Sequence, residues 1–248
     1  MNTELSKEAA DYGGQASRAL AAAGEDRAVA VLGELGAWDL DPRGDADDLE
    51  AAAALCRSAG YRAVDHPVAD RLLPLGGPVT QAHLEPGGTA DPRDVALVLT
   101  LQCWTLLGML DRAIDLTREH VLVRRQFGRP LAEQQGVRFQ LSDAEVERVG
   151  VEMLAAYALW SAGSGRPEAV DDALALRLAA LEAAETVFRT AHVLHGALGF
   201  CDEAPLSWLS RRSQDLRRRP FGPSATRDLL ARRIDGRGLT GLYSEENV

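Results

Sequence analysis

The chain has 248 residues, 46% of them hydrophobic and only 5% aromatic, with a formal net charge of −10 and a pI near 5.0. An acidic chain of this kind is not built to coat nucleic acid. Abundant alanine and leucine with few aromatics argue against a β-sandwich and for helices packed on helices.

In chain order, residues 1–73 read as a reduced region of short helices broken by turns. "EDRAVAVLGELG" and "DADDLEAAAALCRSAG" each open on acidic residues, which suit a helix N-terminus, and each closes on glycine. Residues 74–92 are crowded with proline and glycine and lack apolar periodicity, so they read as a linker and a boundary. Residues 93–248 are then expected to form one helical bundle. Val95, Val98, Leu99, Gln102, Leu106, Met109, Leu110, Ala113 and Leu116 fall on one face of a long helix. A second helix is predicted over 133–163, with Val137, Leu141, Ala144, Arg148 and Val151 along one side. A third is predicted over 167–195, a fourth over 205–219, and a shorter fifth from 224 to just before Gly236. No run alternates like a strand, so the expected fold is an all-α antiparallel bundle.

Cys56, Cys103 and Cys201 are too far apart for a zinc or redox motif, and no metal site is expected. Buried free thiols and an N-terminus without a secretion pattern lead to the expectation of a cytoplasmic protein. The uncharged stretch Val95–Leu110 is shorter than a membrane span needs and reads as a core helix. Charge is polarised: residues 1–92 carry 7 basic and 16 acidic side chains, whereas residues 211–238 carry nine arginines against three aspartates. That arginine stretch is either a solvated face paired with acidic neighbours or a surface that meets phosphates or an acidic subunit.

Two motifs stand out. "RRQFGRPL", residues 124–131, offers a guanidinium able to grip a phosphate, an amide and a phenyl ring. Its plainer reading is a helix end, with Gly128 as terminator and Phe127 as a core anchor. "AHVLHGALGF", residues 191–200, closes the third helix on His195 and Gly196. The ordered series of these two motifs, then the arginine-rich "PLSWLSRRSQDLRRR", resembles the C-terminal helical domain of the acyl-CoA dehydrogenase family over about residues 94–233. Arg124, Gln126, Phe127, Gly128, Pro130, Leu131 and Gln135 match the first part of the family pattern, and Leu194, His195, Gly196, Gly199 and Phe200 the second.

The resemblance implies an FAD site shared between subunits. Arg124, Gln126, Phe127, Gln135, His195 and Gly196 would hold the cofactor on its pyrophosphate and adenosine side. Val193 and Ala197 depart from the family's usual glutamine and second glycine. The β-domain that family members carry between their helical halves is replaced here by residues 74–92, leaving half a flavin pocket. The two places where members carry the catalytic carboxylate hold Pro220 (or Phe221 in a one-residue shift) and Val98, neither of which takes up a proton. Asp94 and Asp215 are the nearby carboxylates. The resemblance therefore implies a catalytically silent subunit of a heteromeric acyl-CoA dehydrogenase acting on lipid or steroid thioesters, partnered with a full-length subunit that binds the acyl-CoA. No nucleic acid and no membrane are expected as partners. The alternative is a flavin-free scaffold, or a repurposed enzyme on the same fold.

Overall fold

The computed structural model describes residues 4–84, 88 and 90–238. The first helix, α1 (Lys7–Ala23), is capped by Ser6, whose hydroxyl accepts from the Ala9 amide at 3.3 Å. A short α2 (Ala28–Glu34) precedes α3 (Ala46–Tyr61), whose Asp45 cap accepts from the Asp48 amide at 2.9 Å. Both α1 and α3 run longer than the short broken helices expected of this region. Gly60, read from sequence as the residue closing α3, lies inside it. Residues 74–92 contain one turn of helix of their own: α5 (Gln81–Leu84) follows α4 (Val68–Leu72), and Val79 and Leu84 are both buried in the core.

The central element is α6 (Pro92–Val123), 32 residues capped by the Asp91 carboxylate and opened by proline at its first position. It is long and apolar enough to cross a membrane, but 83% of its apolar window is buried inside the protein against α3, α7 (Gln135–Gly163) and α8 (Ala169–His195). It is a core helix. The last two helices, α9 (Pro205–Arg218) and α10 (Pro223–Arg237), also begin on proline. The five C-terminal helices thus match the sequence periodicity to within a few residues, and the fold is all-α.

Two glycines set the closeness of α3 and α6. A Cβ on Gly60 would lie 1.9 Å from the Thr105 carbonyl oxygen, and one on Gly108 would lie 1.9 Å from that of Arg57. The two backbones are in direct contact there, and only glycine permits it. The same seam carries a charge network. Arg57 pairs with Asp111 (2.7 Å) and Glu152 (2.6 Å), and Arg148 pairs with Asp111 (3.2 Å), Glu145 (2.8 Å) and Glu152 (2.7 Å). It ties α3, α6 and α7 together and explains why an arginine stands on the inward side of α7.

The departure from an all-helical reading is small and local. β1 (Arg125–Gln126) pairs antiparallel with β2 (Arg129–Pro130) across a two-residue turn. Both turn residues have positive φ, Phe127 at 51° and Gly128 at 79°. This is the requirement of the hairpin turn whose twist suits the flanking strands.

Candidate functional site

The helix-end reading of "RRQFG" is corrected by this hairpin. Helix α6 stops at Val123, Arg124 turns to extended backbone, and Gly128 makes a turn rather than ending a helix. The Arg124 carbonyl accepts from the Leu131 amide at 2.8 Å, which closes the base of the hairpin. Arg125 donates to the Gly128 carbonyl at 2.9 Å and so braces the turn from within. Phe127 is no core anchor: it stands at the tip, 91% exposed, in a backbone region that costs a bulky residue energy. Arg124, Gln126 and Gln135 are likewise exposed.

The second motif meets the first. His120, one turn before the end of α6, stacks on His195 at the end of α8, with ring centroids 4.4 Å apart and planes 20° apart. The His195 Nδ1 lies 2.8 Å from the Ala191 carbonyl, so Nδ1 carries the hydrogen. A small apolar cluster of Val121, Leu131, Val137 and Leu194, separate from the main core, fastens the two helix ends and the hairpin base together. Burial pushes the His120, His192 and His195 imidazoles below their ordinary range. A neighbouring His195 reinforces this for His120 and His192, and Arg124 does so for His120. The trio is held neutral. His192 in turn stacks on Phe200 at 4.6 Å.

The structure thus brings Arg124, Gln126, Phe127, Gln135, His195 and Gly196 to one end of the bundle. Around them Leu122, Val123, Phe139, Val193, Leu198 and Phe200 are all exposed apolar side chains. An uncovered apolar patch of this kind marks an interaction surface. Gly196 has φ 61°, and a Cβ there would meet nothing within 4 Å, so the backbone at this point is open to close approach from outside. One residue was missed by motif matching. Gln134, beside the exposed Gln135, has a side-chain nitrogen that is buried with no hydrogen-bond partner among the described residues. Its neighbour fitted the family pattern, and nothing in the sequence distinguishes the two amides. An orphaned amide donor, exposed guanidinium and phenyl groups and an open glycine backbone fit one side of a dinucleotide cofactor. Nothing among the described residues covers the other side.

Of the two base positions, Val98 is 1% exposed in the second turn of α6. Pro220 lines a cavity of about 210 Å³ together with Asp70, Gln102, Arg212 and Asp215. Phe221 is half-buried against the core. The buried Arg177 of α8 donates to the carbonyls of Arg219 and Phe221, the latter at 3.0 Å, and so fixes the segment on both sides of Pro220. Asp94 is held by Arg43 through two hydrogen bonds of 2.8 and 3.0 Å. Asp215 lies largely in solvent, paired with Arg219 at 2.7 Å. Among the described residues no group of three or more metal-ligating side chains comes together. Cys56 and Cys103 are buried, their thiols pushed up to about 12 by burial, and Cys201 is exposed.

A helical bundle with an open site of this composition at one end places the chain among the all-α proteins. The comparisons identify which. Residues 100–234 match the family model described as "Acyl-CoA dehydrogenase, C-terminal domain". The chain belongs to the acyl-CoA dehydrogenase family. It is 33% identical over 107 residues to the 3-sulfinopropanoyl-CoA desulfinase of Paraburkholderia xenovorans, a match covering 42% of this chain and 26% of that protein. It is 29% identical over 175 residues to the acyl-CoA dehydrogenase FadE27 of Mycobacterium tuberculosis, covering 65% of this chain and 44% of that one. The chain therefore spans less than half the length of these relatives. Among solved structures, a chain of the ChsE4-ChsE5 complex of M. tuberculosis superposes with a TM-score of 0.79 at 15% identity, covering 97% of this chain and 100% of that one. A chain of the Tcur3481-Tcur3483 steroid ACAD variant does so with a TM-score of 0.78 at 16% identity, covering 94% and 99%.

Proposed function

We propose that this protein is the non-catalytic subunit of a heteromeric FAD-dependent acyl-CoA dehydrogenase, completing a flavin site shared with a full-length partner subunit. The observation that carries this is the geometry at the end of the bundle. The flavin-facing motifs converge there and are left open, with Phe127 91% exposed among uncovered apolar side chains. Two solved structures of matching length, a chain of the ChsE4-ChsE5 complex and one of the Tcur3481-Tcur3483 pair, support a heteromeric assembly.

Each residue has a role it can perform from where it stands. Arg124 presents a charged double donor to the pyrophosphate, and Phe127 a flat face to a ring. The Gln134 amide nitrogen is buried and unpartnered, so a turn of its side chain towards the cofactor would satisfy an orphan that costs about 1–3 kcal/mol. Gly196 admits the adenosine to the backbone, and the neutral His195 offers its Nε2 as an acceptor. When bound, FAD supplies the acceptor for the hydride that leaves the β-carbon of the acyl-CoA. The α-proton goes to a carboxylate of the partner, because Val98 and Pro220 have no group to receive it. The acyl-CoA reaches the assembly through that partner, and the assembly works in the cytoplasm.

Amide hydrogen exchange tests the reading. Residues 124–135 and 195–200 should gain protection on addition of the partner and FAD. Unchanged exchange there, with assembly intact, would place the interface elsewhere.

A further inference from the structure

The arginine-rich stretch 211–238 is largely used within the fold. Arg211 pairs with Asp202 at 2.8 Å, Arg219 with Asp215 at 2.7 Å, Arg227 with Glu182 and Arg233 with Asp171. Arg212 does something different. From α9 it reaches the turn after α3 and donates to the carbonyl of Ala63, a residue held at φ 51°. Its guanidinium lies 5.1 Å from the centre of the Trp208 ring. Arg212 forms one wall of a groove of about 420 Å³ that α6 and the start of α9 also line. This volume lies within the range of small-molecule sites. Arg112 and Leu116 mark the groove on α6, two to three turns before Arg124, so it is separate from the flavin-facing motifs.

The Tyr61 side of the groove is cationic as well. The guanidinium carbons of Arg62 and Arg112 lie 5.3 and 5.5 Å from the centre of one ring, that of Tyr61. The Tyr61 hydroxyl is itself anchored to Asp115 at 2.8 Å. Neither arginine is neutralised at close range among the described residues. Arg62 donates to the Ser17 hydroxyl at 3.0 Å, and the carboxylate nearest Arg112 is the exposed Glu119, at 3.9 Å. Gathering two like charges on one ring is unfavourable unless an anion sits between or beside them, and guanidinium groups suit phosphate oxygens best. The other end of the groove is aromatic and carries carboxylates. Trp208 is 42% exposed, its indole N–H given to the Asp202 carbonyl and one ring face to the Arg212 guanidinium, which leaves the other face for stacking. Asp202 and Glu203 flank it, and Asp202 is already paired with Arg211. Carboxylates there repel a phosphate and accept from an amino group. The groove is therefore polar along its length, anion-seeking at one end and suited to an aminopurine at the other.

We infer that this groove binds a nucleoside diphosphate, phosphates on Arg62 and Arg112, base against Trp208. The site is independent of the flavin reading, since no residue is common to both.

Isothermal titration of the full chain with ADP, inorganic pyrophosphate and adenosine tests it. The expected result is one ADP per chain, with pyrophosphate at least tenfold weaker and adenosine without measurable heat. R62Q and R112Q should each weaken ADP at least tenfold with an unchanged melting temperature. W208L should bring ADP down to the level of pyrophosphate. R124A, which impairs the flavin-facing motif, should bind ADP as the natural chain does. Absence of ADP binding overturns the inference. So does binding that survives both R62Q and R112Q, or binding that R124A abolishes, which would put ADP on the hairpin. Pyrophosphate binding as tightly as ADP would overturn the nucleotide assignment.

Discussion

His120 and His195 stack face to face at 4.4 Å, the end of α6 against the end of α8. This contact joins two motifs separated by most of α7 and α8 in sequence. Both rings are depressed below their ordinary range, first by burial, then for His120 by its neighbour. The sign follows directly. The unfolded chain binds protons on these imidazoles near pH 6.5 while the folded chain does not, so they contribute stability above about pH 6.5 that is lost as pH falls through the folded-state values. A denaturation midpoint measured from pH 7.5 to 5 should fall. His120→Phe keeps a stacking ring without the titration and should flatten that fall. An unaltered slope in the variant would mean that the stack is not pH-linked.

Gly108→Ala should be among the most damaging small substitutions in the chain. Its Cβ would fall 1.9 Å from a backbone oxygen of α3, which no side-chain rotation relieves. Overpacking of this kind costs on the order of 3 kcal/mol, a drop of roughly 6–12 °C in melting temperature for a chain this size. Gly150→Ala on α7, where a Cβ meets nothing within 4 Å, is the matched comparison and should stabilise the isolated chain by up to about 1 kcal/mol. Thermal melts of the two variants check the difference in sign.

Much of this was legible in the sequence, and the reasons are physical. The apolar repeat through Val95, Leu99, Leu106 and Leu110 places α6 because burial, with its 3.6-residue period, decides where a long helix lies. The hairpin was not legible. "RRQFGRP" has the glycine of a tight turn, but Phe127 occupies a backbone position that sequence rules reserve for glycine or asparagine. The Gly60–Gly108 crossing was hidden for a different reason. A glycine near a helix end looks like a terminator, and only the tertiary neighbour shows that it is a contact. Motif matching picked out Arg124, Phe127, His195 and Gly196 by type. It did not separate the orphaned Gln134 from Gln135, because two adjacent amides differ only in the direction they face.

Asp94→Asn distinguishes a structural carboxylate from a catalytic one. The bidentate Arg43–Asp94 pair occupies both carboxylate oxygens. Its loss should cost on the order of 1 kcal/mol of stability, with turnover of the assembled complex within about threefold of the natural one. A true base would cost at least about 10²-fold in rate with flavin still bound.

Arg124→Ala should leave the fold intact, because the side chain is exposed and the hairpin is closed by the Arg124 backbone. In the complex it should weaken flavin retention ten- to hundredfold, the scale of a charge-assisted contact of about 1.5–3 kcal/mol. Flavin released on dilution, followed by fluorescence, reads this directly.

The central claim is that this chain holds one side of a flavin and a partner holds the other. The direct measurement is visible absorbance of the protein purified alone and again after co-expression with a full-length acyl-CoA dehydrogenase subunit, the proposed partner. The account predicts a colourless chain alone and a yellow hetero-oligomer in which flavin is lost when the chain is removed. Stoichiometric flavin on the chain alone, or a partner that keeps its flavin without it, would contradict the account.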